Sequence, residues 1–252
     1  SLIDGALHAN AALVRFNHND MNHLRSRLEK SNAKYKLIVS EGVFSMDGDQ
    51  APLIELLSLA KAHNAWLMID DAHGFGVLGK SGLGSCEPLI AADNLPDILV
   101  ITFGKAVASS GACVLGSSEF IDYMLQFNRD YTYSTAMSPF IALHTLSRIK
   151  TIRDANHKRA KLNANIALFK RLANEHKIAL MDSTTAIQPL VLGCAEQTLK
   201  ACEQLKQQGI WLTAIRPPTV QHNTSRLRIT LTAAHTEQDI TTLVNCLKKA
   251  IA

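Results

Sequence analysis

The chain has 252 residues, of which 47% are hydrophobic and 19% charged. That is room for one large α/β domain or two ordinary ones, and the composition excludes disordered and collagen-like chains. The net charge is only +4 and no block of five like charges occurs, so no nucleic-acid partner is indicated.

No apolar run reaches the roughly 18 residues of a membrane span, so no membrane partner is expected. The opening Ser1-Leu2-Ile3-Asp4-Gly5 is not a secretory signal pattern; its early apolar residues suggest a sequence that starts inside a domain. Cys86, Cys113, Cys194, Cys202 and Cys246 are odd in number, widely spread and free of CxxC pairs. They read as reduced, mostly buried thiols of a cytoplasmic protein, neither a disulfide framework nor a zinc site.

In chain order, a short opening helix is followed by a predicted strand over 13–16 and a helix over 20–30. Four strand-length apolar runs then stand out: Leu37-Ile38-Val39, Trp66-Leu67-Met68-Ile69, Ile98-Leu99-Val100-Ile101 and Ala112-Cys113-Val114-Leu115. Their continuous apolarity predicts strands covered on both faces. Leu53, Leu56, Leu57 and Ala60 recur at helical spacing after Pro52, which suits a helix's first turn. Strand, helix, strand reads as a βαβ unit and hence a mostly parallel sheet.

From 139 to 176 the pattern is helical nearly throughout, which predicts one long connecting region. A smaller α+β rhythm follows. A strand over 187–192 precedes a helix over 196–208 that Gly209 would terminate. Strands over 210–215 and 226–231 come next, and Thr236 with Asp239 three residues on reads as a capping box for a last helix to about residue 251. The predicted organisation is 1–138 as the C-terminal part of a large domain, 139–176 as a helical connection and 177–252 as a small C-terminal α+β domain.

Open α/β sheets bind ligands beyond the carboxyl ends of their strands. Three polar clusters fall there: Ser40-Glu41-Gly42-Val43-Phe44-Ser45, Asp70-Asp71-Ala72-His73-Gly74 and Thr102-Phe103-Gly104-Lys105. Asp70 is expected to be half buried, where a carboxylate needs a cation or good donors. A protonated heterocycle nitrogen would serve, and a strand-end cap or a metal ligand reads equally well from the residue alone. His73 sits at the same edge, suited to hydrogen-bond a ligand oxygen or to move a proton. No third ligand accompanies Asp70 and His73, so no metal is expected.

Lys105 lies in a turn of small residues, where desolvation would free its amine for Schiff-base chemistry; the commoner case for a lysine in a loop is a solvated one. An acid for a ring nitrogen, an amine for an imine and the hydroxyls of Ser45 and Thr102 for a phosphate make up the protein half of a pyridoxal phosphate site. No GxGxxG or GxxxxGK[ST] string occurs, which argues against a plain nucleotide-binding protein.

Glu41-Gly-Val-Phe-Ser-Met-Asp-Gly-Asp49, Asp70-Asp-Ala-His-Gly74 and Thr102-Phe-Gly-Lys105 together resemble the α-oxoamine synthases. These are fold-type I (aspartate aminotransferase-like) pyridoxal phosphate enzymes that join an acyl thioester to an amino acid. Ala186-Ile-Gln-Pro-Leu190 and Thr213-Ala-Ile-Arg-Pro-Pro-Thr-Val220 look most like the member that condenses L-alanine with pimeloyl-CoA, or its carrier-protein counterpart, in biotin synthesis. Sister activities such as glycine C-acetyltransferase, and a non-catalytic synthase subunit, are the alternatives.

The resemblance implies that Lys105 carries the cofactor and then moves the Cα proton, that Asp70 pairs with its ring nitrogen, and that His73 meets its phenolic oxygen. Ser45 would contact the cofactor and Thr102 its phosphate. Ser134 and Thr135 match a phosphate-contacting stretch that reaches across a homodimer interface. Arg228 matches the arginine that holds the amino-acid carboxylate, Thr219 a substrate-contacting threonine, and Arg216 a residue placed to meet the acyl substrate.

Ala106 and Ala108 stand where the family often has Gly, Ser138 where it has Pro, and Gln221 and Asn223 where it has Pro and Gly. Roughly the first third of the expected chain, with a histidine that stacks on the cofactor, is not in this sequence. The chain by itself is therefore expected to be poorly active.

Overall fold

Leu67 and Ile69 are fully buried in the strand Trp66–Asp70, whereas Trp66 is exposed and Met68 half-buried. This alternation sets the character of the first unit. The computed structural model describes residues 1–90 and 94–251, which fall into two compact units. The first comprises Ser1–Gly42, Ala51–Gly79 and Leu83–Thr151; the second comprises Val43–Gln50, Lys80–Gly82 and Ile152–Ala252.

In the first unit, α1 (Leu2–His8) and α2 (Met21–Glu29) precede β1 (Leu37–Glu41), α3 (Leu53–Ala62) and β2 (Trp66–Asp70). After α4 (Glu87–Ile90) come β3 (Ile98–Thr102), β4 (Ala112–Gly116), α5 (Ser118–Phe127), α6 (Arg129–Thr132) and α7 (Pro139–Arg153). The sheet runs β1-β2-β3-β4, with β1, β2 and β3 parallel and β4 antiparallel to β3. The parallel pair β1–β2 spans α3, the predicted βαβ unit. Leu56, Leu57 and Ala60 of α3 are buried, and α3 packs on β2. Each such leucine contributes about 2 kcal/mol by leaving water.

Several expectations need correction. Residues 13–16 form no strand; Leu13 and Val14 are exposed, and an extended segment without a hydrogen-bonded neighbour has nothing to hold it as one. The strands are not covered on both faces among the described residues: β1 and β2 alternate, and β4 is exposed at four of its five positions. Helices α4, α5 and α6 were not anticipated. The start of α5 was legible, since the Ser117 hydroxyl accepts from the Phe120 amide at 3.2 Å, an ordinary N-cap.

The second unit holds α8 (Asn156–Glu175), β5 (Ile187–Gly193), α9 (Ala195–Gln207), β6 (Thr213–Ile215), β7 (Ser225–Thr230) and α10 (Glu237–Ala250). The helical region predicted over 139–176 is made of α7 and α8, separated at residues 154 and 155. The sheet is antiparallel in the order β5-β7-β6. Leu227 and Ile229 of β7, Leu205 of α9, Phe169 of α8 and Leu247 of α10 are fully buried in its core.

Gly209 adopts φ +79° directly after α9, as its C-terminal role requires. Strand β6 starts later than predicted because the Ile210 amide still donates back to the Leu205 carbonyl at 2.9 Å. The capping box at Thr236 and Asp239 is present. Of the thiols, Cys86 and Cys246 are buried, Cys113 and Cys202 half-buried and Cys194 exposed. Among the described residues, no helix is long and apolar enough to cross a membrane.

Candidate active site

Parallel pairing brings three polar strand ends to one edge of the first unit's sheet. Glu41 is in register with Asp70, and Asp70 with Val100, two residues before Thr102 at the end of β3. Asp70 is half-buried, and its Oδ1 accepts from the Ala72 amide at 3.0 Å. His73 is half-buried in the following turn, where the Gly74 and Phe75 amides donate to the Asp71 carbonyl at 3.1 and 3.0 Å.

The turn after β3 is pinned by its backbone. The Phe103 amide donates to the Gly111 carbonyl at 2.9 Å, Ser109 to Phe103 at 2.8 Å and Ala108 to Lys105 at 2.9 Å. Phe103 and Val107 are buried beneath it. Lys105 itself is exposed, so the desolvation expected from its small neighbours is not supplied by this turn. Ala108 takes a left-handed backbone, φ +53°. The Thr102 hydroxyl is buried with no hydrogen-bond partner among the described residues. An orphaned buried hydroxyl costs about 1–3 kcal/mol, and this one stands three residues before Lys105. Ser134 and Thr135 lie in the exposed segment between α6 and α7.

Sequence reasoning passed over Asp71. It is fully buried, with Oδ2 accepting from the Ser85 amide at 2.9 Å and Oδ1 from the Ser85 hydroxyl at 2.6 Å. Burial pushes its carboxyl up to about 6; the Ser85 hydrogen bonds oppose that rise and the Asp70 charge adds to it. Glycine is required around it: a Cβ at Gly42, Gly74 or Gly84 would lie 2.4, 2.1 or 1.8 Å from a carboxylate oxygen of Asp71. The doubled acid at a strand end, amid several glycines, was the available signal.

In the second unit, the turn 43–50 is closed by the Val43–Gln50 bridge, by the Phe44 amide on the Asp49 carbonyl at 3.0 Å and by the Gly48 amide on Phe44 at 2.8 Å. It carries Ser45, whose carbonyl accepts from Arg228 Nε at 2.7 Å. Burial draws the Arg228 guanidinium below its ordinary pKa, yet an arginine keeps its charge. Arg226, two residues earlier on β7, is buried and pairs with Asp47 at 2.5 Å. Neither Asp47 nor Arg226 was singled out from the sequence. Arg216 and Thr219 are exposed in one turn after β6, with the Thr219 amide on the Arg216 carbonyl at 3.0 Å. The structure therefore groups Asp70, His73, Thr102 and Lys105 in the first unit, and Ser45 with Arg228 in the second.

Comparison with known proteins adds the family. The profile of aminotransferase class I and II matches residues 1–247. An 8-amino-7-oxononanoate synthase of Saccharophagus degradans is 46% identical over the whole of this chain, which spans 63% of that relative's length. A serine palmitoyltransferase of S. paucimobilis, solved with bound PLP-myriocin aldimine, superposes with a TM-score of 0.92 at 29% identity, covering 99% of this chain and 63% of that one. The 8-amino-7-oxononanoate synthase of Francisella tularensis superposes at 0.85 and 29% identity, covering 98% of this chain and 71% of that one. The fold is the fold-type I architecture that the motifs implied.

Proposed function

Because this chain belongs to the aminotransferase class I and II family, we propose that it carries the cofactor and substrate residues of an 8-amino-7-oxononanoate synthase. That enzyme is a pyridoxal phosphate-dependent acyltransferase of biotin synthesis; it condenses L-alanine with a pimeloyl thioester and releases carbon dioxide. The names of the curated relatives support this reading, as does the PLP-bound structural neighbour. We take residues 1–138 as part of the cofactor domain, 139–176 as the helical connection and 177–252 as the small domain. The free thiols suit a cytoplasmic enzyme.

One observation carries the cofactor assignment. Thr102 Oγ1 is buried and orphaned on the sheet edge that also bears Asp70, with Lys105 in the next turn. A phosphate oxygen would satisfy that hydroxyl, and the donor set fits the rest of the group. Once bound, pyridoxal phosphate supplies an electron sink for charge developing at the amino acid Cα. Lys105 would hold the cofactor through its amine and then move the proton at Cα. Asp70 would hold a proton at the ring nitrogen, and His73 would hydrogen-bond the phenolic oxygen. Ser45 would contact the cofactor. Arg228 would take the alanine carboxylate, for which a guanidinium fork is suited. Thr219 would contact the substrate, and Arg216 would help recognise the acyl substrate.

Ser134 and Thr135 would complete a second copy's phosphate site in a homodimer. Exposed Phe140, Leu143 and Leu146 on α7, with Val114 and Leu115 on β4, support a partner surface in the first unit.

The test is reduction with borohydride after adding pyridoxal phosphate, with adducts mapped by mass spectrometry. The expected adduct is confined to Lys105 and disappears in Lys105→Ala. Adducts scattered over surface lysines of the folded protein would overturn the assignment. Alanine, glycine and serine compared as substrates would separate this activity from its sisters.

A further inference from the structure

Arg226 and Arg228 project from the same face of β7, because side chains two residues apart on a strand point the same way. Both grip the turn 43–50. Arg228 Nε donates to the Ser45 carbonyl at 2.7 Å. Arg226 Nη1 donates to Asp47 Oδ1 at 2.5 Å and, more weakly, to the Met46 carbonyl at 3.5 Å. The far side of the turn is fixed too: the Ser183 and Thr185 hydroxyls each donate to the Gly48 carbonyl at 2.8 Å. Gly48 has φ +72°, and a Cβ there would lie 2.3 Å from the Ile187 carbonyl oxygen, so the turn sits directly on the start of β5.

Between a buried Arg226 and a half-buried Asp47, desolvation offsets much of the attraction, so the pair adds little net stability. What this one fixes is geometry. We propose that Asp47 and Arg226 are positioning residues for amino-acid binding. By locking the turn onto β7, they place the Ser45 carbonyl on Arg228 Nε, so that the guanidinium presents its two-Nη end to the substrate carboxylate. The inference rests on the proposed carboxylate-binding role of Arg228.

A guanidinium takes a carboxylate in bidentate fashion only when the two planes align, and a group held at Nε has lost most of its freedom to misalign. Thr230 Oγ1, 3.2 Å from Arg228 Nη1, holds the same plane from a second direction. With the pair removed, the turn loosens, the Ser45 carbonyl recedes and alanine must order the guanidinium on binding. Neither Asp47 nor Arg226 has to touch the substrate for this to happen.

The experiment compares Asp47→Asn, the double variant Asp47→Asn/Arg226→Met and Arg228→Gln. The double variant leaves no unpaired buried charge, so it keeps the test open if the single variant folds poorly. Two quantities are read: amide exchange at Phe44 and Gly48 in the cofactor-free protein, and the alanine Kd of the pyridoxal phosphate-loaded protein from its absorbance change. Releasing the turn is expected to speed both amides and to raise the alanine Kd about tenfold, read at saturating pyridoxal phosphate because the same turn carries Ser45.

If Arg228→Gln weakens alanine binding but the double variant does not, the positioning role is overturned and the carboxylate role stands. If Arg228→Gln leaves alanine binding intact, the carboxylate role falls. Faster exchange in the double variant would then still uphold the anchoring of the turn, and unchanged exchange would overturn that as well.

Discussion

Asp71 and Ser85 form a closed pair: the serine's amide and hydroxyl each donate to a different oxygen of one fully buried carboxylate, at 2.9 and 2.6 Å. The pair ties the loop after β2, which carries His73, to the segment before α4. The carboxyl titrates near 6 in the folded chain against an ordinary 3.8. Below 3.8 both folded and unfolded chains hold the proton, and the contribution to stability is fully present. Between the two values the folded chain keeps a proton that the unfolded chain has released, so stability falls as pH rises. About 3 kcal/mol is lost across this window. Asp71→Asn is expected to flatten that slope and to be the more stable form above pH 6. Urea midpoints on either side of the window check it; an unaltered slope would assign the dependence to other groups.

Thr102→Val keeps the shape of the side chain and removes the orphaned hydroxyl. The ligand-free chain is expected to gain about 1 kcal/mol in stability. The same change is expected to raise the pyridoxal phosphate Kd about tenfold, the value of one hydrogen bond to a charged group. Thermal unfolding and cofactor titration together read both effects. A loss of stability in the ligand-free chain would contradict the orphaned state of the hydroxyl.

Ala108 sits at φ +53°, where an L side chain crowds its own carbonyl. It is also a position where the resembled family often has Gly. Ala108→Gly relieves that crowding at some cost in unfolded-chain entropy, for an expected net gain of about 1 kcal/mol. Asn223, also in place of the family's Gly, has φ +61° but belongs to a residue type that tolerates this region. Asn223→Gly is therefore expected to change stability by less than Ala108→Gly. Denaturant midpoints of the two variants give the comparison.

Thr236 accepts from the Asp239 amide at 3.1 Å, while Asp239 Oδ2 accepts from the Thr236 amide at 2.8 Å. Thr236→Ala is expected to cost about 1 kcal/mol and to speed amide exchange in the first turn of α10. The bond donated by the Thr236 amide also lowers the Asp239 carboxyl's pKa, so the capping contribution fades as acid protonates it.

What the residues determined alone was local chemistry with its own period or geometry. The βαβ unit of β1, α3 and β2 follows from short apolar runs flanking a helical spacing. The end of α9 follows from Gly209 and the start of α10 from Thr236 and Asp239, because a cap is satisfied by atoms three or four residues away. The placing of Asp70 and Thr102 at one sheet edge, with Lys105 in the turn that follows, was legible because a parallel sheet must deliver its strand ends to one edge.

What only the tertiary structure decided was non-local. The strand-like run over 13–16 has no strand partner among the described residues. The apolar face of β4 remained exposed among the described residues. Asp71 and Asp70 are adjacent and chemically identical, yet one is clasped by Ser85 and three glycines while the other is half-buried at the strand end and accepts from the Ala72 amide. The turn 43–50, threaded in sequence between β1 and α3, is held by Arg226 and Arg228 from more than 170 residues away. No local pattern encodes such a pairing, because burial and charge partners are set by which distant surfaces meet.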